Sequence, residues 1–157
     1  MPEDRTIPAS ALEIELLDQS GATRKLADFR GRNVVVYFYP MDDTPGCTVE
    51  GKEFRDRFEQ FEALDAVIVG ISTDSVDRHR AFAEKHAFQF ILLADTEGAL
   101  ASAFGVLNDK LAARSTFILD HDLQVRRVFH EVTPRGHAQN VLNFLRTLVE
   151  SYRMLGG

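Results

Sequence analysis

The sequence predicts an α/β fold in which a central mixed sheet is covered on both faces by helices. Two stretches carry most of that prediction. NVVVYFY (33–39) and AVIVGIS (66–72) are almost wholly apolar, and β-branched or aromatic along most of their length. Such runs form strands buried on both faces. A third observation completes it. Segments whose apolar residues recur every three or four positions alternate with the strand-like runs, which is the helical period.

The elements follow in order. Leu12, Ile14 and Leu16 alternate with Glu13, Glu15 and Leu17, which predicts an early strand with one buried face. Gln19 to Ala22 is a turn signal. Leu26 to Arg30 reads as a short helical turn stopped by Gly31. After the first buried strand comes PMDDTPG, a cluster of turn residues. From Cys47 the pattern becomes helical, with Phe54, Phe58, Phe61 and Leu64 on one stripe. The second buried strand leads to a helix capped by Asp74 or Ser75 and running to about Ala87. Phe90 to Leu93 is a short strand, and a further helix opens at Thr96 to Ala99 and ends at Gly105. Ser115–Asp120 and Leu123–Phe129 flank His121-Asp122 as a hairpin. An amphipathic helix from Gly136 to about Tyr152 closes the chain.

Length and composition narrow the function. A chain of 157 residues is expected to form one domain, residues 1–157, with a core that needs no staple. The net charge of −6 disfavours nucleic acid or an anionic membrane as partner. The polar start MPEDRTIPAS carries no apolar signal region, and no apolar run approaches membrane-span length. A single cysteine excludes an internal disulfide and any CxxC dithiol motif, and fits a reducing, cytoplasmic setting.

Cys47 is the residue with chemical promise. It stands where a helix begins, just beyond the carboxyl end of a buried strand, which is where open α/β sheets bind ligands. Free N–H groups and the helix dipole favour a thiolate there, and the thiolate is the reactive form. The alternative is an inert, buried cysteine. Position does not decide between them. Asp42 and Asp43 read as solvated loop acids. His79 and His86 are two turns apart on one helix, too far for the usual metal pair, and the five histidines read as surface or structural. No metal spacing, phosphate loop or dinucleotide motif is present, so no cofactor is expected.

The stretch YFYPMDDTPGCTVE resembles the active-site segment of the peroxiredoxins, in which Pro, three residues, Thr, two residues and Cys recur in that order. DDTPGCTVE followed by Phe54-Arg55-Asp56 is most similar to the bacterioferritin comigratory protein (PrxQ) subfamily. The likeness continues through LADFRGRNVVVYFYP, GISTDSV, FAEKHAF, LLADTEGALASAFGV, RSTFILD and PRGHAQNVL. It implies a thioredoxin-like fold and a thiol-dependent peroxidase. By the same resemblance Cys47 is the peroxidatic cysteine, Thr44 sets a hydroxyl against sulfur and peroxide, and Pro40 shields the site. Arg114 reaches the cysteine from a distant strand, and Glu50 orients that arginine.

The sequence also departs from the subfamily. Many members carry a resolving cysteine five residues after the first, where this chain has Lys52. A one-cysteine cycle is implied, in which an external thiol (thioredoxin, glutaredoxin with glutathione, or another small thiol) reduces the sulfenic acid. Without an internal resolver, Cys47 is expected to be prone to overoxidation. The substrates implied are hydrogen peroxide and organic hydroperoxides, and the resemblance suggests a monomer. A non-enzymatic redox sensor on the same fold is the competing reading. A sensor has less need of Thr44, Glu50 and Arg114 together.

Overall fold

The computed structural model describes residues 7–155; residues 1–6, most of the polar N-terminal reading, lie outside them. Among the described residues nine strands and five α-helices follow one another: β1 (Leu16–Asp18), β2 (Thr23–Arg24), β3 (Asn33–Phe38), α1 (Pro45–Asp56), α2 (Phe58–Ala63), β4 (Ala66–Ser72), α3 (Val76–His86), β5 (Ile91–Ala94), α4 (Ala99–Ala103), β6 (Leu107–Asn108), β7 (Leu111–Ala112), β8 (Ser115–Leu119), β9 (Val125–Phe129) and α5 (His137–Met154). Seven strands make one sheet in the order β2-β1-β5-β4-β3-β8-β9. β3, β4 and β5 are parallel, and β1 and β8 join them antiparallel. This is the mixed, helix-flanked sheet that the sequence and its family resemblance lead one to expect. Among the described residues no helix is long and apolar enough to cross a membrane.

β3 is buried at every position, as its unbroken apolar run requires. Its side chains alternate between two cores. Val35, Tyr37 and Tyr39 face the core shared with α1, α2, α3 and α5. Val34, Val36 and Phe38 face the other, with α4 and two short 3-10 turns. Cys47 belongs to the first core, on a packed face of the sheet.

The structure corrects three expectations and decides between two alternatives left open for a fourth. The early strand begins only at Leu16; Ala9–Glu13 is a 3-10 helix instead. The alternation of half-buried and exposed residues is real from Leu12 onward, but ladder partners begin where Leu16 meets Arg24 and Leu17 meets Ala94. The phenylalanine-rich helix starts at Pro45 and breaks at Arg57 (φ −108, ψ 9), giving α1 and α2. The closing hairpin has a longer turn, because Asp120 Oδ1 accepts the N–H groups of Asp122 and Gln124 and Leu123 takes φ 63. Ser75, not Asp74, caps α3, its hydroxyl accepting the Arg78 N–H at 3.2 Å.

Candidate active site

β3 delivers the chain to the site. The Tyr39 N–H continues the ladder to the Ile71 carbonyl at 3.0 Å, and half-buried Pro40 follows and turns the chain. Thr44 has extended backbone (φ −92, ψ 155) and Pro45 is the first helical residue, where a missing N–H costs nothing. The Thr44 carbonyl then accepts the Thr48 N–H at 2.9 Å. Cys47 is therefore the third residue of α1, in the turn whose N–H groups have no acceptor within the helix. Its thiol is free and only 2% of the residue is exposed.

Arg114 reaches this sulfur from the segment between β7 and β8. Its Nη2 donates to Cys47 Sγ at 3.4 Å and its Nη1 to Glu50 Oε1 at 2.7 Å. The Arg114 carbonyl is held by the Val132 N–H at 3.2 Å. Burial works against the charged guanidinium, but the neighbouring Cys47 and Glu50 outweigh it and raise its pKa. Glu50 lies three residues past Cys47, on the same side of α1, and is fully buried. That burial pushes its carboxyl up to about 7, against the opposing attraction of Arg114. Its Oε2 has no hydrogen-bond partner.

Gly46 makes the approach possible. A Cβ there would lie 3.0 Å from Arg114 Nη2 and 3.3 Å from Pro134 Cγ. Within reach of the arginine's charge stands His137, the first residue of α5, its Nε2 2.7 Å from Thr116 Oγ1. Burial, and then the charge of Arg114, lower the His137 pKa to about 4, so the imidazole is neutral. The Gly136 N–H just before it donates to Glu53 Oε1 at 2.8 Å, tying α5 to α1.

Asp42 is not a solvated loop acid. It is 2% exposed and accepts from Tyr39 Oη at 2.5 Å. Its Oδ2 is 2.6 Å from Nδ1 of the completely buried His79, whose Nε2 faces the Leu93 carbonyl at 2.9 Å. A carbonyl only accepts, so Nε2 carries hydrogen, and the Nδ1–Oδ2 contact holds a further proton. Asp74 completes the cluster: it takes the Asp42 N–H at 2.8 Å, the Ser72 hydroxyl at 2.6 Å and Arg78 Nε at 2.8 Å. Asp42, Asp74 and His79 lie as close as metal ligands would. Their ligand atoms are already spent on one another and on protein donors, so the cluster is a hydrogen-bonded clasp. It joins the loop before Cys47 to α3. Asp43 is the half-exposed acid, at φ 63 and paired with Lys85 at 3.1 Å.

Of the residues singled out in the sequence, Cys47, Glu50 and Arg114 come into direct contact as one chain of groups. The Thr44 hydroxyl donates to the Met41 carbonyl at 2.8 Å and makes no side-chain cap to the helix. Pro40 stands at the entry to the same loop. Sequence reasoning missed Gly46, His137 and the Asp42–His79 pair. Gly46 had a sufficient explanation as a turn residue, and His79 is remote from the loop in sequence.

The model of the AhpC/TSA family matches residues 7–128. Peroxiredoxin Bcp of Bacillus subtilis is 41% identical over 152 residues, covering 92% of this chain and 97% of that protein. Among solved structures, peroxiredoxin Q of Xanthomonas campestris superposes with a TM-score of 0.88 at 36% identity, covering 91% of this chain and 96% of that one. Peroxidoxin BcpB of Mycobacterium tuberculosis gives 0.83 at 39% identity, covering 94% and 97%. These matches, with a single cysteine at the head of α1, show that the chain belongs to the AhpC/TSA family as a peroxiredoxin enzyme of the Bcp/PrxQ type.

Proposed function

We propose that the chain reduces hydrogen peroxide and organic hydroperoxides through a Cys47 sulfenic acid, which an external thiol then reduces. The Arg114 contact to Cys47 Sγ at 3.4 Å carries this reading, because a fixed cation at the sulfur supports both the thiolate and the charge that builds during O–O cleavage. The bacterioferritin comigratory protein of Xanthomonas campestris, studied for its alkyl peroxide reduction activity, is 36% identical. In the proposed step Cys47 attacks one peroxide oxygen in line with the O–O bond. Arg114 and the unpaired N–H groups of the first turn of α1 stabilise the departing oxygen. Thr44 steers the peroxide, Pro40 limits water, and Glu50 fixes Arg114.

The one-cysteine cycle rests on the sequence: Cys47 is the single cysteine, and Lys52 takes the place of a resolving cysteine. Thioredoxin, glutaredoxin with glutathione, and other small thiols are the candidate reductants, acting on a monomer. The test is peroxide consumption by the wild type with each reductant in turn, with Cys47→Ser as control. One fast equivalent of peroxide lost per chain, followed by turnover, is expected. Oxidation no faster than that of free cysteine would leave the sensor reading instead.

A further inference from the structure

Glu50 and Cys47 compete for one cation. Arg114 donates Nη1 to Glu50 at 2.7 Å and Nη2 to Cys47 at 3.4 Å, and both acceptors are buried. A thiolate and a carboxylate together would set two negative charges against a single positive one with little water to help. Like charges sharing a site disfavour the second ionisation. The other groups facing Glu50 do not supply a second cation. Glu53, on the same helix, repels a charge on Glu50. Tyr37 of β3 is buried and its pKa lies well above its usual value, so it is neutral. His137 of α5 is also neutral. Glu50 Oε2 receives no hydrogen bond, although a buried carboxylate oxygen needs one far more than a carboxylic acid does.

We propose that Cys47 and Glu50 hold one proton between them, carried by Glu50 while Cys47 is the thiolate and released when Cys47 is oxidised. The proposal rests on Cys47 being the peroxide-reducing thiol. Burial already raises the Glu50 carboxyl to about 7, so its acid form is within reach before any thiolate is counted. The step balances as a thiolate, a hydroperoxide and a carboxylic acid giving a sulfenic acid, an alcohol or water, and a carboxylate. The S–O bond forms, the O–O bond breaks, and sulfur loses two electrons to the peroxide. In the net balance the departing oxygen takes the proton of Glu50. Neutral sulfenic acid leaves Arg114 to Glu50 alone. Reduction by two equivalents of external thiol yields a disulfide and water and restores the thiolate and the protonated acid. Glu50 thus positions Arg114 and keeps a proton without touching the peroxide.

Infrared difference spectra at neutral pH read this directly. Reduced wild type is expected to show the C=O stretch of a protonated carboxylic acid that Glu50→Gln lacks. The band should weaken on stoichiometric oxidation and in Cys47→Ser, where no thiolate competes for Arg114 and burial alone is left to hold the proton. A missing band, or one unchanged in Cys47→Ser, overturns the proposal. The pH profile of Cys47 oxidation gives a second readout. Wild type should fall off on the alkaline side as Glu50 loses its proton, and Glu50→Gln should keep only the acid limb. An alkaline limb retained in Glu50→Gln overturns the proposal as well. A wild type that shows the band but oxidises no faster than free cysteine defeats the peroxidase reading of the site, and with it the proton release.

Discussion

A methyl group at position 46 would meet Arg114 Nη2 at 3.0 Å, closer than nearly all real Cβ contacts. Gly46→Ala should therefore fold normally and shift the guanidinium by a few tenths of an ångström. Misplacement of a catalytic group by about 1 Å can cost ~10²-fold, so a loss of roughly tenfold in the rate of Cys47 oxidation is expected by stopped-flow. Wild-type kinetics in Gly46→Ala would show that Arg114 has slack. Arg114→Met should cost more, about 10²–10³-fold, as removal of a stabilising donor does elsewhere. At this scale the sequence was unevenly legible. Cys47 stood out as the only cysteine at a helix start. Arg114 and Glu50 could be named only through family resemblance, since 64 residues separate them in the chain. Asp42 was misread because an acid in a turn is solvated by default, and only the folded chain brings His79 beside it.

At the scale of elements, the loop 39–44 is held to α3 chiefly by the buried Asp42–His79 contact. Removing one partner of a buried charged or proton-sharing pair costs about 3–5 kcal/mol. His79→Ala should lower stability on that scale in urea unfolding, while an exposed substitution such as Arg80→Ala on the same helix should change little. Equal losses in the two variants would mean that the clasp contributes nothing. Gly51 supplies a second test of packing. A Cβ there would come within 2.6 Å of Phe88 Cζ, so Gly51→Ala should cost about 1–3 kcal/mol through overpacking between α1 and the α3–β5 connection. The buried strands were readable because β3 and β4 are apolar along nearly their whole length. The break between α1 and α2 was not. Phe54, Phe58 and Phe61 keep a helical spacing across it, and Arg57 gives no sign of a stop until its Nε meets Gln139 Oε1 on α5 at 3.1 Å.

For the whole molecule, two buried groups near the site pull stability in opposite directions with pH. Glu50 has a folded pKa of about 7 against 4.5, so between these values the native state binds more protons. Its contribution falls as pH rises through that window. His137 has a folded pKa of about 4 against 6.5 and binds fewer protons when folded, so its contribution rises from about pH 4 to 6.5. At about 1.4 kcal/mol per pKa unit the two are of similar size and offset each other where they overlap. Glu50→Gln removes one side of the balance. Its urea midpoint should climb between pH 5 and 7 relative to wild type, and a difference independent of pH would refute the assignment. The fold itself was legible at this scale, because the motifs along the chain occur in one consistent order. The two-stranded β6–β7 hairpin was not, since strands of two residues leave no periodicity to read.

The burial of Cys47 reaches further than its chemistry. A cysteine residue that is 2% exposed admits a peroxide more readily than the thiol of a protein or peptide. Oxidation and recovery are then governed by different clocks. Under the proposed cycle, the first asks only that a small peroxide reach the sulfur, and the second asks that a bulkier thiol reach the same buried position. In that cycle the features that keep Cys47 buried, Pro45 at the start of α1 and the loop anchored on α3, bear on recovery more than on oxidation.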